Sequence, residues 1–230
     1  MIIDLHTHTT LGSVDSLIKP RELVAIAKRG GLDGVCITEH GNKKVEGIEE
    51  LAKEYNFLVL AGFEATTELG DILVFGVDSY PREMSRAAEL RRFVEEAGGV
   101  MIAAHPFRNE ITRRPYRMPG DSLTIQKACQ RQIFRLVDAI EVVNGWSVEE
   151  EIIFTQEVSS RLALKGTGGS DAHLASQIGC CVTIFENTIR TEQDLVAELK
   201  AGRFRAVDRR GGSQKDPAYW FSANENRADR

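Results

Sequence analysis

Residues 1–10, MIIDLHTHTT, combine the pattern of a short buried strand with two histidines that such a strand does not need for its packing. In a β-strand alternate side chains point to the same face, so we expect the imidazoles of His6 and His8 to project in one direction. Burying two polar rings without partners is unfavourable. The segment therefore predicts a strand whose carboxyl end faces something that imidazoles bind.

The rest of the chain alternates strand-like and helix-like segments. Apolar runs predict strands at 33–40, 57–67, 71–78, 100–107, 138–146, 163–173 and 178–186. Helical spacing and end signals predict helices at 20–31, 45–56, 84–99, 121–137, 147–163 and 191–202. Such alternation is typical of α/β proteins, and it predicts parallel strands covered by helices in an open sheet or a barrel. Ligands of both architectures bind at the carboxyl ends of the strands.

Composition and charge exclude several classes of protein. With 27% charged residues and a net charge of −5, the chain has no global basic field for nucleic acid and no run of membrane-span length. The N-terminus lacks a secretion-signal pattern, and four cysteines without CxxC spacing indicate free thiols in a reducing compartment. We expect a cytoplasmic protein with one domain over residues 1–210 and a loose polar tail over residues 211–230.

All five histidines of the chain fall at or near the ends of predicted strands. Two acidic residues share this placement, since Glu64 follows an apolar run and Asp171 stands two residues before a histidine. The histidines are His6, His8, His40, His105 and His173. A packed group of imidazoles and carboxylates is costly unless a cation holds it together, and mixed nitrogen and oxygen ligands suit zinc, manganese or iron. The pattern therefore predicts a metal site.

Other interpretations of individual residues stay open. Ser170 beside Asp171 suggests a serine nucleophile, but no GxSxG elbow surrounds it. Asp15 is also a natural cap for the turn before the first helix, and Asn144 before Gly145 is a natural turn former. A buried, unpaired carboxylate is expensive, so Glu64 within an apolar run is expected to be functional.

Six motifs in order resemble the PHP (polymerase and histidinol phosphatase) family of metal-dependent hydrolases. They are DLHTHTT, SVDS, ITEHGN, GFEAT, AHPF and GGSDAH, at positions 4–10, 13–16, 37–42, 62–66, 104–107 and 168–173. The resemblance covers residues 2 to about 207, including the PHP-associated closing segment. It implies a single-domain, distorted (β/α)7 TIM-like barrel with two or three divalent ions (Mn, Zn or Fe) at the carboxyl ends of the strands.

The resemblance also implies a ligand set. His6 and His8 would hold a first metal with Glu64 and Asp171, and Glu64 would bridge to a second metal bound by His105. A third metal would be held by Asp15, His40 and His173. Three positions depart from the family pattern: Glu39 stands where an aspartate is common, Asn144 where a further histidine often lies, and Asp15 where some members have histidine.

The expected activity is hydrolysis of a phosphomonoester by a metal-activated hydroxide. Asp171 would orient the hydroxide, and His173 or His40 would donate a proton to the leaving group. The substrate would be a small-molecule or nucleotide phosphate, with nucleic acid only as a substrate end. Four arginines after the His105 strand are expected to grip phosphate, and they are Arg108, Arg113, Arg114 and Arg117.

Two alternatives to this activity remain. The site would equally suit hydrolysis of a C–N or C–O bond, since metal hydroxides also attack carbonyls. The domain would otherwise be a non-catalytic, metal-stabilised binding module. If the four arginines face away from the site, the phosphate clamp is expected at Lys43, Lys44 or Arg190.

Overall fold

The computed structural model describes residues 1–81, 86–111 and 123–210, which contain ten strands and six α-helices. The strands are β1 (Ile2–Thr7), β2 (Gly34–Ile37), β3 (Leu58–Ala61), β4 (Phe63–Thr67), β5 (Gly70–Phe75), β6 (Val100–Ala103), β7 (Ala139–Asn144), β8 (Lys165–Gly169), β9 (Cys181–Phe185) and β10 (Phe204–Asp208). The helices are α1 (Pro20–Arg29), α2 (Ile48–Tyr55), α3 (Ala87–Glu96), α4 (Ile125–Cys129), α5 (Glu149–Leu162) and α6 (Glu192–Ala201). This alternation confirms the predicted α/β class.

The described strands form two five-stranded sheets rather than one closed barrel. The order is β10-β9-β1-β2-β3 in the first sheet and β4-β5-β6-β7-β8 in the second. Only β1-β2-β3 and β6-β7-β8 pair in parallel, while the remaining pairs are antiparallel. The closed seven-stranded barrel is therefore not confirmed.

The two sheets meet at their carboxyl ends, where isolated bridges join Thr7 to Ala172 and His40 to Glu64. Gly62 links β3 to β4 at the boundary between the sheets. A Cβ atom there would lie 2.6 Å from the Phe75 ring, so only glycine fits this close approach. The fold thus brings both sheets together at the end where the predicted ligands lie.

Helix α1 shows how sequence pattern becomes packing. Pro20 occupies its first turn, where a missing N–H costs nothing, and the helix ends at Gly30 as expected. Its apolar side chains Leu23, Val24 and Ala27 pack with the side chains of β2 and β3. Full burial of one leucine stabilises a fold by about 1.5–3 kcal/mol, so such faces fix the helices against the sheets.

Two predictions about secondary structure and chain organisation are not met as stated: one helix is shorter than predicted, and the predicted tail lies outside the described residues. The predicted helix over 121–137 is reduced to α4 and a 3₁₀ turn at Gln132–Arg135, because Arg131 adopts an extended conformation between them. The capping box of α6 is present, with Thr191 Oγ1 accepting from the Asp194 N–H at 3.1 Å. The tail over 211–230 lies outside the described residues. In the described ranges, no helix has the length and hydropathy needed to cross a bilayer.

Candidate metal centre

The structure brings all eight predicted ligands together, seven of them at or after the carboxyl ends of strands and Glu64 near the amino end of β4, shortly after β3 ends. They are His6 in β1, His8 and Asp15 after it, His40 after β2, Glu64 in β4, His105 after β6, and Asp171 and His173 after β8. His6 and His8 are fully buried, while Asp15 lies on the exposed rim with 56% of its side chain accessible. The two histidines of the opening strand do face one shared site, as their alternate spacing predicts.

Buried hydrogen bonds orient the His6 ring. Its Nδ1 atom lies 3.0 Å from Glu141 Oε1, and an ionised carboxylate can only accept, so Nδ1 carries the proton. The Nε2 atom is then directed at the centre of the site. Glu141 also accepts from the His105 N–H at 3.0 Å and from the Asn144 amide at 3.0 Å. One buried carboxylate thus supports three segments of the site.

A serine and a glutamate orient the His8 ring in the same way. Ser13 Oγ donates its single proton to Glu39 Oε2 at 2.5 Å, so the serine oxygen accepts from His8 Nδ1–H at 3.0 Å. Glu39 is held in turn by the Thr9 N–H, which contacts both of its oxygens at 3.0–3.1 Å. The His8 Nε2 lone pair therefore points toward His6.

The atoms that converge at the centre are electron-pair donors. His6 Nε2 and His8 Nε2 lie 3.0 Å apart, and each lies 3.2–3.5 Å from Glu64 Oε2 and Asp171 Oδ1. Glu64 Oε2 is also buried, and His40 Nδ1 lies 2.8 Å from it, where it donates a hydrogen bond only when it carries a proton. Facing lone pairs repel unless a cation or an extra proton separates them, so this arrangement fits a divalent metal ion.

Three overlapping sets of side chains have ligand atoms within 4.8 Å of one another. They are His6–His8–Asp171, His6–Glu64–His105 and His8–His40–His173. The sets differ from the expected assignment in three respects: Glu64 is absent from the first set, His6 joins the second, and His8 stands in the third where Asp15 was expected. Asp15 Oδ2 lies 3.3 Å from Nε2 of both His40 and His173, which places it beside that group as predicted.

The electrostatics of the cluster favour a positive charge at its centre. Burial opposes ionisation of Asp171 and Glu64, but the surrounding imidazoles, above all His6, outweigh it and hold the pKa of both carboxyls well below the usual range. Burial likewise opposes protonation of His6, yet Asp171, Glu141 and Glu64 raise its pKa well above the ordinary value. Burial lowers the pKa of His8 to about 4, so that ring is neutral near pH 7. The carboxylates thus attract one charge that a proton or a metal ion can supply.

Unusual backbone geometry accompanies the ligands. His105, Asn109 and Asp171 have φ angles of 30°, 64° and 52°, in the left-handed region that non-glycine residues rarely adopt. Each such residue costs about 1–3 kcal/mol and persists where its surroundings fix it. The Asp171 N–H donates to the His6 carbonyl at 2.7 Å, which ties this conformation to β1.

A cavity of about 390 Å³ opens beside the cluster. Its described lining consists of seven residues, which are Asp15, His40, Arg108, Asn109, Trp146, Asp171 and His173. Arg108 pairs through its guanidinium with Asp171 Oδ2, which places one of the four predicted phosphate ligands at the site. Arg113, Arg114 and Arg117 lie outside the described residues.

The alternative clamp residues Lys43, Lys44 and Arg190 line a different cavity, of about 1170 Å³, bordered by α2 and β3. Lys44 is paired there with Asp78 and Glu192. No described residue lines both cavities. The three residues therefore do not supply a clamp at the histidine cluster.

Sequence reasoning missed Glu141 and Ser13, which orient the two central histidines. A signal for Glu141 was present, since it is the only charged residue of the fully buried run AIEVVN at 139–144. Ser13 lies in the motif SVDS, but the motif was used only for Asp15 and nothing in it indicated a role for the serine. Asn144, interpreted as a turn former, does bond the Trp146 N–H at 2.9 Å, but its amide also reaches Glu141.

Fold and site together define an α/β protein with a buried histidine–carboxylate metal centre. Residues 4–119 match the model of the PHP domain, and residues 155–204 match that of the PHP-associated family. The uncharacterized protein MJ1587 of Methanocaldococcus jannaschii is 30% identical over 159 residues, which cover 64% of this chain and 83% of that protein. The chain belongs to the PHP family.

Solved structures share the fold at low sequence identity. A two-domain protein from Bacteroides vulgatus, containing a predicted PHP-like metal-dependent phosphoesterase, superposes with a TM-score of 0.66 at 22% identity, over 97% of this chain and 69% of that one. PsfC from Pseudomonas syringae superposes with a TM-score of 0.61 at 20% identity, over 98% and 96% of the two chains. These likenesses show that the fold is shared over nearly the whole chain.

Proposed function

We propose that this protein is a metal-dependent phosphoesterase that hydrolyses a phosphomonoester of a small molecule or nucleotide, with nucleic acid a substrate only at an end. The observation that carries the proposal is the convergence of imidazole nitrogens and carboxylate oxygens around Glu64 and Asp171, beside a cavity that contains Arg108. Two or three divalent ions (Mn, Zn or Fe) would be held by the three overlapping sets. Such ions supply a nucleophile near neutral pH and Lewis acidity toward phosphoryl oxygens.

The chain's own residues would position and protonate the substrate. Asp171 reaches both the central imidazoles and the cavity, so it is placed to orient the nucleophile. His40 and His173 line the cavity and would donate a proton to the leaving group wherever they are not bound to an ion. A hydrogen bond to Glu64 raises the pKa of His40, which favours the protonated form needed for that role.

Arg108 would hold the phosphoryl oxygens that do not react, because a planar guanidinium binds two such oxygens side by side. Arg113, Arg114 and Arg117 follow on the same segment of chain and would add to this grip. We further propose a cytoplasmic location and a single domain over residues 1–210, in which the two sheets represent halves of a distorted (β/α)7 barrel.

The test combines metal analysis with a substrate panel. Purified protein should contain a transition metal and should release phosphate from phosphomonoesters after addition of manganese, zinc or iron. Amides and lactones in the same panel separate phosphoester hydrolysis from C–N or C–O hydrolysis, and Asp171→Asn serves as the inactive control. Protein that binds no metal, or that hydrolyses only amides or lactones, would refute the proposal.

A further inference from the structure

Trp146 is half exposed, yet its position is fixed by hydrogen bonds. Its side chain lies on the loop after β7, and the residue is 48% accessible to solvent. The indole Nε1–H donates to the Asp171 carbonyl at 2.8 Å, and the backbone N–H donates to Asn144 Oδ1 at 2.9 Å. Exposed apolar side chains are usually free to change rotamer. An exposed indole that hydrogen bonds hold in one orientation therefore indicates a surface that binds another molecule.

The same loop is held from its other side by Arg210. The guanidinium donates to the Gly145 carbonyl at 2.7 Å and to the Ser147 carbonyl at 2.9 Å. Two further bonds, at 2.8 and 3.0 Å, join it to the Asp208 carboxylate. The backbone on each side of Trp146 is therefore anchored to β10.

The indole forms an apolar wall of an otherwise polar cavity. Among the described residues that line this cavity, Trp146 is the only one with an aromatic hydrocarbon surface. Its ring centroid lies 6.3 Å from that of His173, with the ring planes at 79°. Leu174, the residue after His173, is 43% exposed. A ligand that reaches the metal centre thus has one flat apolar face available.

We propose that Trp146 binds the leaving group of the substrate, and that the preferred leaving group is an alcohol bearing a flat aromatic ring system. This inference rests on the proposed phosphoesterase function. Stacking of one base on an aromatic side chain corresponds to roughly 5- to 100-fold in affinity. Arg108 and the metal centre would hold the phosphate while Trp146 holds the ring at the rim.

A matched substrate pair tests the assignment. AMP and ribose 5-phosphate release phosphate from the same primary alcohol and differ by the presence of the base. The metal-loaded protein should have a kcat/KM for AMP at least about fivefold higher than for ribose 5-phosphate, and Trp146→Ala should abolish this preference by lowering kcat/KM for AMP at least about fivefold more than kcat/KM for ribose 5-phosphate. Equal parent kinetics on both substrates, or an equal loss on both in the variant, would overturn the inference.

Trp146→Phe separates stacking from support of Asp171. Phenylalanine loses the Nε1–H bond to the Asp171 carbonyl but keeps an aromatic face, so it should retain part of the preference for AMP. If the residue acts only by positioning Asp171, phenylalanine and alanine should lower turnover of both substrates alike, which would contradict the proposal. Manganese binding serves as the control for folding, because the Trp146 side chain offers no metal ligand.

A binding measurement keeps the inference testable without turnover. Trp220 is the only other tryptophan, so Trp220→Phe leaves Trp146 as the single indole fluorophore. AMP should quench its emission and bind at least about fivefold more tightly than ribose 5-phosphate. If neither substrate releases phosphate, the proposed function fails, and this binding difference still supports the aromatic subsite. Equal binding of both compounds overturns it.

Discussion

Replacing Ser13 with alanine should weaken metal binding without touching a metal ligand. The hydroxyl is buried, and it accepts from His8 Nδ1–H at 3.0 Å while donating to Glu39 Oε2 at 2.5 Å. Without it, nothing in this chain of bonds keeps the proton on Nδ1. The His8 ring is then free to carry its proton on Nε2, where it would block the lone pair aimed at His6.

The expected loss of metal affinity follows from the hydrogen bonds that remain in Ser13→Ala. Loss of a partner that orients a ligand typically costs 10- to 100-fold in metal affinity, or about 1.4–2.7 kcal/mol. Glu39 Oε2 keeps the Thr9 N–H at 3.0 Å, while two donors lose the hydroxyl as a partner: the His8 Nδ1–H at 3.0 Å and the His40 N–H at 3.3 Å. An unsatisfied buried donor costs about 1–3 kcal/mol of unfolding free energy in the metal-free protein.

Competition between the protein and a chromophoric chelator for manganese or zinc would measure this affinity. Ser16→Ala is the matched control, because Ser16 is a buried serine of the same loop whose hydroxyl contacts only backbone, including the His8 carbonyl at 2.9 Å. It should lose stability but keep metal affinity. The reasoning is wrong if Ser13→Ala binds metal within about twofold of the parent, or if both serine variants lose equally.

Three further outcomes are expected. Asp171→Asn keeps the volume of the side chain but removes its charge, so turnover should fall by orders of magnitude with little change in far-UV circular dichroism. Near-normal turnover would show that Asp171 is not a metal ligand. When metal is present at about 100 times its Kd, removing it with a chelator should lower Tm by about 5–10 °C. An unchanged Tm in calorimetry would show that no ion binds the folded state. Burial opposes ionisation of Asp208, but the Arg210 guanidinium outweighs burial and holds the pKa of Asp208 below its usual range. The ionised carboxylate therefore stabilises the fold at pH values above the unfolded pKa. This stabilisation is lost as pH falls through the folded pKa. The difference in unfolding free energy between the parent and Asp208→Asn should therefore be constant above about pH 5 and should shrink as pH falls below about 4 in denaturant titrations, and a difference that does not shrink on acidification would contradict the pairing.

Hydrophobic periodicity was sufficient to predict the α/β class, because α1 has the one-sided apolar spacing of a helix and the parallel strands are short apolar runs. It was not sufficient for the sheet topology. A fully buried strand such as β6 is a continuous apolar run in the sequence whether its neighbours are parallel or antiparallel, and it has one of each. The division into two sheets depends on the close approach at Gly62, which involves a ring 13 positions further along the chain.

The metal-binding side chains of the candidate site could be predicted because histidine at strand ends is informative by residue type alone. Five histidines at strand ends are unusual enough to indicate a shared metal centre, and the structure places all five together. The residues that orient them were hidden, because their role depends on contacts between distant segments. Glu141 reaches His6 across 135 positions of sequence, and no local pattern reports such a pair.

The departure at Glu39 shows how the site keeps its geometry with a longer side chain. An aspartate commonly stands at this position in the family, and glutamate adds one methylene that must be accommodated between β2 and the loop after β1. Gly12 provides the space, because a Cβ there would lie 2.7 Å from Glu39 Cβ and 2.8 Å from its Cγ. The glutamate can therefore fold back until both oxygens meet the Thr9 N–H and one of them meets Ser13. The longer acid thus supports the His8 ring through a serine, so the substitution alters how this ligand is oriented without removing its support.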